Sequence, residues 1–349
     1  MPALTPQNLV NLETRMSYVS ENAYGGLNAN TWWPTIVKVR STTAGKEILA
    51  WLLSTARIRS LGKFGGNLPF EDLVSQTMEM EPEFAGDAFK LTRKQFEDTD
   101  SKGFNLAAEW SQQIGAQMAY WPQELAAQFL MNGHQIEAYD KRAFFATDHP
   151  VNPYLPGKAY ANLFTGAPDA NTGYPGRLPI HGIGVGKVTV DEALENLQKL
   201  IAYVGSRKMP NGVQPRRLRL RYLLVPPALE FRAVQLTQSK FIAQAVAGGG
   251  AASADVEALI SRLGFASPVV CPELAGFEDD QTYFAVCEEI TDGEVGGLIY
   301  LDRDPFKINF YGPVDQAQLN RVDELEWHCK GRNALKPGHP YTIYKVKGV

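Results

Sequence analysis

The sequence is poor in cysteine, in long apolar runs and in excess charge of either sign. It has 349 residues and three cysteines, Cys271, Cys287 and Cys329, an odd number and far apart. Such a scatter fits buried thiols in a reducing compartment, because metal ligation needs tighter clustering. No stretch approaches the roughly 18 uninterrupted apolar residues of a membrane helix. The opening MPALTPQNLVNLETR contains no apolar core of a signal peptide. A soluble protein made in a cytoplasm is expected. Lysine and arginine total 34 against 38 aspartate and glutamate, a formal net charge of −4. A dedicated nucleic-acid binder shows a basic excess, so that class is disfavoured, while loose contact with DNA on one face is compatible. Hydrophobic residues at 44% and charged residues at 21% are near the globular average, which excludes a wholly disordered chain. The length suits one large domain or two to three smaller ones. A chain of this size buries roughly 75% of its unfolded surface.

The pattern along the chain is uneven. Residues 1–47 are polar, interrupted by the apolar knot Trp32-Trp33-Pro34. They read as an extended arm pinned by two indoles, with docking on the chain's own core as the plain alternative. Ile48 to Leu61 is apolar enough to pack, and Gly62, Gly65 and Gly66 break any helix. From Asp72 to Thr99 apolar and charged residues alternate. Met78, Met80, Phe89 and Leu91 fall on one face, Glu79, Glu81 and Lys90 on the other. Period two predicts strands, and Pro82 to Asp87, with Gly86, predicts the turn of a long β-hairpin.

Trp110, Ile114, Met118, Trp121, Leu125 and Phe129 step by three or four. They predict a helix from Gly103 to Asn132 with one apolar stripe. It would span about 45 Å, kink at Pro122 and stop at Gly133 as a C′ residue. Thr189 to Ser206 predicts a second helix with Glu192 in capping-box position. Leu218 to Val225 predicts a buried strand, and Pro226-Pro227 a helix start reaching about Val246. A short helix is expected over Asp255–Leu263. The remainder reads as strands at Ser267–Cys271, Thr282–Cys287, Gly297–Leu301, Lys307–Tyr311, Glu324–Lys330 and Tyr341–Lys347.

Catalytic signatures are broken. The segment His181 to Lys187 resembles a phosphate loop only at Gly186-Lys187. Histidine stands where the first glycine belongs, and Val188 where the hydroxyl belongs. Its glycines at 182, 184 and 186 read instead as a flexible connector. Asp148-His149 would suit a general base, yet no G-x-S-x-G elbow supplies a nucleophile. The five histidines show no metal spacing and read as surface or loop residues. Arg217, Arg219 and Arg221 share one face of their strand, as a solvated face or a contact for an acidic partner or DNA phosphate. No catalytic, cofactor-binding or metal residue is assigned, and an enzyme is disfavoured.

Three blocks together carry a resemblance: Trp51-Leu52 through the hairpin to Glu97-Asp-Thr-Asp100, Met118 through Gly133, and Ala138-Tyr-Asp-Lys-Arg-Ala-Phe-Phe-Ala-Thr-Asp-His-Pro150. In that order they resemble the major head subunit family of Mu-like phages. The resemblance covers residues 48–150 and is looser from 185 on, where Leu224-Val-Pro-Pro-Ala-Leu-Glu230 is similar to a strand-to-helix turn of tailed-phage capsid proteins. Lys141-Arg142 stands where a glycine-containing turn is more usual.

The resemblance implies an α+β fold of the Hong Kong 97-like type. It places an N-terminal arm at 1–47 and an E-loop region at 48–102. The spine helix and peripheral domain would occupy 103–188, and the axial domain 189–300. C-terminal strands at 301–349 would return to the peripheral domain. It implies a structural subunit forming hexamers and pentamers of an icosahedral virion shell around double-stranded DNA, assembled in a bacterial cytoplasm. Partners would be further copies of itself, a separate scaffold protein, a portal and decoration proteins. No cofactor and no membrane are implied. The candidate inter-subunit contacts are Trp32, Trp33, Met78, Met80, Phe89, Leu91, Arg217, Arg219 and Arg221. The alternatives are an encapsulin-like compartment shell and a nucleotide-binding enzyme using Gly182–Lys187.

Overall fold

The computed structural model describes residues 6–28, 30–52, 75–92, 102–152, 159–165, 182–184, 188–210, 212–238, 268–289, 294–295, 297–311 and 324–348. The chain opens with α1 (Pro6–Asn28), β1 (Val37–Ser41), β2 (Glu47–Leu52), β3 (Ser75–Met80) and β4 (Glu83–Thr92). The long helix α2 (Lys102–Asn132) follows, then the short strands β5 (His149–Pro150), β6 (Ala159–Tyr160) and β7 (Leu163–Phe164). Next come α3 (Val190–Gly205), β8 (Leu218–Val225), α4 (Glu230–Gln238) and β9 (Val269–Val270). The chain ends with β10 (Tyr283–Glu289), β11 (Glu294–Val295), β12 (Leu298–Tyr311), β13 (Glu324–Pro337) and β14 (Ile343–Val346).

Two sheets organise these elements. One has four strands in the order β1-β12-β13-β4, so β4 lies at an edge. The other has six strands, β7-β14-β10-β8-β9 with β11 beside β10. The long α2 runs along the four-stranded sheet. Its residues Ala107 and Ile114 pack with Leu91, Leu325, Trp327 and Cys329. Farther along, Ala126, Phe129 and Leu130 pack with Trp32, Phe144 and Phe284, which belongs to the six-stranded sheet. One helix thus reaches the cores of both sheets, consistent with its apolar periodicity.

Several expectations change here. Residues 1–47 are not an extended arm: Pro6–Asn28 is helical, with Leu12 and Met16 buried in the core that holds Trp327. The polar composition misled because α1 needs only a narrow apolar contact. Gly115 of α2 makes room for it, since a Cβ there would press on the Ser20 backbone. The predicted hairpin is also absent as a hydrogen-bonded pair. The strand β3 pairs with β2, Leu52 opposite Ser75 and Glu47 opposite Met80. The strand β4 pairs instead with β13. Gly86 is no turn residue but lies within β4, where a Cβ would overlap the Cys329 carbonyl.

The helix ends where expected, but Gly133 is not among the glycines with positive φ. It is needed because the Phe145 ring lies where its Cβ would be. The helix also continues through Pro122. The predicted capping box is present: Thr189 and Glu192 bond each other's backbone N–H. The predicted separate strands at 297–301 and 307–311 are one strand, β12, with register shifts between Asp302 and Lys307. Finally, residues 301–349 do not all return to one sheet. The strand β13 joins the four-stranded sheet and β14 the six-stranded one, so β14 stands with the predicted axial strands. The expected helix over Asp255–Leu263 and the glycines at 62, 65 and 66 lie outside the described residues.

Candidate functional site

Of the nine candidate contact residues, most are spent on the chain's own interior. Trp32 is 6% exposed. Its Nε1 donates to Glu273 Oε2 at 2.9 Å, and its backbone N–H donates to Gln123 Oε1 at 3.0 Å. Trp33 is buried beside Tyr300, ring centroids 6.2 Å apart. The indole pair therefore pins the end of α1 to α2 and β12 of the same chain. Met80 is fully buried with Leu49, Tyr139 and Leu301, and the half-buried Met78 packs on that cluster. Leu91 is 2% exposed. Phe89 stacks on Trp110 at 5.4 Å and leans on Trp327 at 5.9 Å. The apolar face of residues 78–91 thus has a second layer in its own chain. The expectation that it waits for a neighbouring subunit is overturned. The second layer over Leu91 and Phe89 is α1 and α2, and it was not visible because the polar N-terminal segment does not read as a packing helix.

The arginine face is only partly as expected. The strand starts at Leu218, so Arg217 precedes it, exposed, with φ of 54°. Arg219 is exposed and Arg221 half-buried. The Arg221 Nε lies 3.8 Å from Glu288 Oε2. The sequence reading passed over Arg216. Its guanidinium sits 3.5 Å over the Tyr341 ring and 4.0 Å from Glu289. Burial alone would lower it, yet Tyr341 and Glu289 hold it above its ordinary value.

A buried cation was also missed. Lys345 is 1% exposed. Its Nζ donates to Glu278 Oε1 at 2.8 Å and lies 4.5 Å over the Phe277 ring. Lys347 reaches the same oxygen at 3.1 Å, and Thr282 Oγ1 donates to Glu278 Oε2 at 2.6 Å. This clamp fixes a turn in which Glu278, Asp279 and Asp280 all have positive φ. Alternation hides Lys345: a lysine within an aromatic strand reads as a solvent-facing residue.

The most specific block of the sequence, 138–150, forms one knot. His149 is fully buried, not a surface histidine. Its Nδ1 lies 2.7 Å from Asp140 Oδ2 and its Nε2 3.1 Å from the Phe144 carbonyl. Its ring stacks on Tyr160 at 5.1 Å. Lys141 takes φ of 60° at the place where a glycine turn is more usual, and the Arg142 N–H donates to Asp140. The pair Asp140–His149 holds the loop shut. With no solvent access it is ill placed as a general base for an outside substrate.

Other chemistry is sparse. All three cysteines are free and buried. Burial pushes the Cys329 thiol up to about 12 and raises Cys271 and Cys287 as well. Such thiols are poor nucleophiles. Among the described residues no group of three or more His, Cys, Asp or Glu could hold a metal, and no helix is long and apolar enough to cross a membrane. Gly182 and Gly184 are buried against Gln281, Gly182 also against Gly348, and Ile183 between them enters the apolar core. These glycines serve close packing rather than a flexible connector; Gly186 and Lys187 lie outside the described residues. A groove of about 750 Å³ runs between α2 and β4–β13, lined by Phe84, Met118, Trp121 and Phe306.

The fold itself defines a class. The mature capsid of bacteriophage PhiM1 has the same fold over 92% of this chain and 87% of that chain, with TM-score 0.52 and 12% identity. The capsid of the cyanophage P-SCSP1u matches over 91% of this chain and 88% of that chain, with TM-score 0.52 and 14% identity. This is the fold of phage capsid proteins, in keeping with the Hong Kong 97-like expectation. More particularly, residues 10–173 match the family described as Mu-like prophage major head subunit gpT. That match covers just under half of the chain. No curated protein matches the chain.

Proposed function

We propose that the chain is the major capsid subunit of a tailed phage or prophage. Copies assemble as hexamers and pentamers into a closed icosahedral shell that encloses double-stranded DNA. The carrying observation is the coincidence of two findings: the family match over residues 10–173 and a capsid fold spanning more than nine-tenths of the chain. The role is structural. The buried thiols and the sealed Asp140–His149 pair support a chain without catalytic function. A separate scaffold protein, a portal, decoration proteins, assembly in a bacterial cytoplasm and residence in the virion accompany this reading.

In these terms α1 and the β2–β3 pair are the arm and the base of the E-loop. The helix α2 is the spine, the four-stranded sheet is peripheral and the six-stranded sheet is axial. The test is electron microscopy of the purified chain, alone and co-produced with its neighbouring gene products. Closed shells with nuclease-protected DNA are the expected result. Closed shells holding a protein cargo would favour an enzyme compartment instead. A chain that stays monomeric in every combination would overturn the reading.

A further inference from the structure

The six-stranded sheet presents exposed basic residues at one end, beside the ion-paired Glu288 and the buried Glu289, and an acidic turn at the other. Its central pair β8–β10 is antiparallel, with Leu218 opposite Glu289 and Leu224 opposite Phe284. Arg217 and the exposed Lys208 and Arg219 therefore lie at one end. The turn Glu278–Asp280, just before β10, lies at the other. Seven strand residues separate the ends by about 23 Å. Both ends hold non-glycine residues at positive φ: Arg217 at 54°, Glu278 at 47°, Asp279 at 56° and Asp280 at 58°. Such backbone persists where surrounding contacts over-determine it, and here two ions held by carboxylates and rings do so. Arg216, stacked on Tyr341, fixes the basic corner. Lys345, bonded to Glu278, fixes the acidic turn. Lys345 and Lys347 neutralise Glu278, so Asp279, exposed, and Asp280 present the outward charge.

We propose that the basic corner at Arg217 receives the Glu278–Asp280 turn of a second copy of this chain, side by side around a ring. The inference rests on the capsid reading and names the contact it leaves open. A ring generated by rotation joins two different patches of each subunit. A basic corner meeting its own copy would repel, whereas a basic corner meeting an acidic turn attracts and sets register. The placement of the two charges at opposite ends of one rigid sheet meets that requirement. A shared patch at a two-fold axis would not use it.

The experiment uses the full chain and counts closed shells at low and high salt. Arg217→Glu and Asp279→Lys are each expected to lower shell yield about tenfold at low salt, through like-charge repulsion. The double variant is expected to recover. An equimolar mixture of the two single variants is expected to recover six-membered rings, counted in micrographs, but not closed shells, because unlike subunits alternate only in rings of even number and an icosahedral shell needs five-fold vertices. Lysine at φ of 56° is a strained choice, so Asp279→Asn is made in parallel. Asparagine tolerates that backbone, and an intermediate loss is expected. Thermal unfolding of each subunit checks that the fold is kept. Wild-type yield from folded Arg217→Glu and Asp279→Asn would overturn the contact and leave the capsid reading standing. So would failure of both the double variant and the mixture. Absence of shells from the wild type itself, under every co-production, would overturn both.

Discussion

The four-stranded sheet is fastened to α1 and α2 by Leu12, Met16, Leu91, Ile114, Leu325 and Trp327, all buried and apolar. The six-stranded sheet has an apolar interior as well, but it holds an ion at each end, the largely covered Arg216 and the buried Lys345. Hydrophobic contact is non-directional and tolerates sliding within a layer. An ion held by a carboxylate and an aromatic face has one geometry. The first sheet is therefore built for stability. The second fixes the turns that project from its ends, which is what a subunit needs where it must meet a neighbour in one register.

Leu91→Asp gives the comparison its severest test. Leu91 is 2% exposed and faces Leu325 across the β4–β13 pair. An aspartate there removes its packing and buries a charge without a partner. A loss of about 4 kcal/mol or more is expected, read from denaturant unfolding of the isolated subunit. A variant that unfolds like the wild type but fails to close shells would restore the idea that this face belongs to a neighbour.

How much of this could be read from residues alone depends on where the partner strand lies. The long helix α2 was legible because its apolar positions recur within one element. The capping box of α3 was legible because Thr189 and Glu192 are three residues apart. The strand character of residues 75–92 was legible too, but not the pairing. Alternation says which side chains share a face and nothing about which strand lies beside them. Here β4 pairs with a strand more than 230 residues later. The same limit hid the clamp on Glu278, whose cations come from β14 and the residue after it. The basic stripe was legible as a stripe. Its division into a largely covered Arg216, an Arg217 at positive φ and an Arg221 paired with Glu288 needed the strand boundary and the antiparallel neighbour.

Lys345→Met probes the second sheet at smaller cost. Methionine keeps the apolar stem, and Glu278 retains Lys347 and Thr282, so a loss of about 1 kcal/mol at neutral pH is expected. The pH profile is more telling. Burial lowers the Lys345 ammonium below its ordinary 10.5, against the pull of Glu278. The unfolded chain then binds more protons than the folded one in the window just below 10.5, so stability from this group rises with pH there. Glu278 runs the other way. Burial would raise it, but the bonds from Lys345, Thr282 and Lys347 hold it below 4.5. Its contribution is in full above 4.5 and is lost as pH falls through the depressed folded value. In Lys345→Met the alkaline rise should vanish and the acid loss should shrink. An unchanged profile at both ends would mean that the clamp does not distinguish the two sheets.

The smallest effect is expected on the surface of the first sheet. Lys90 on β4 pairs with Glu324 on β13, each about 50% exposed. Such a pair gains little in water, because its charges are screened and two long side chains lose freedom. Lys90→Ala should change subunit stability by less than about 0.5 kcal/mol, and the difference should disappear in high salt. The pair lies at an edge strand, where a lysine also discourages stray pairing with another chain. Its loss should therefore be felt more in aggregation than in unfolding. Light scattering of the folded variant at rising concentration separates the two. A stability loss above about 1 kcal/mol would place ionic contacts among the fasteners of this sheet too, and the contrast with the six-stranded sheet would fail at its weakest point.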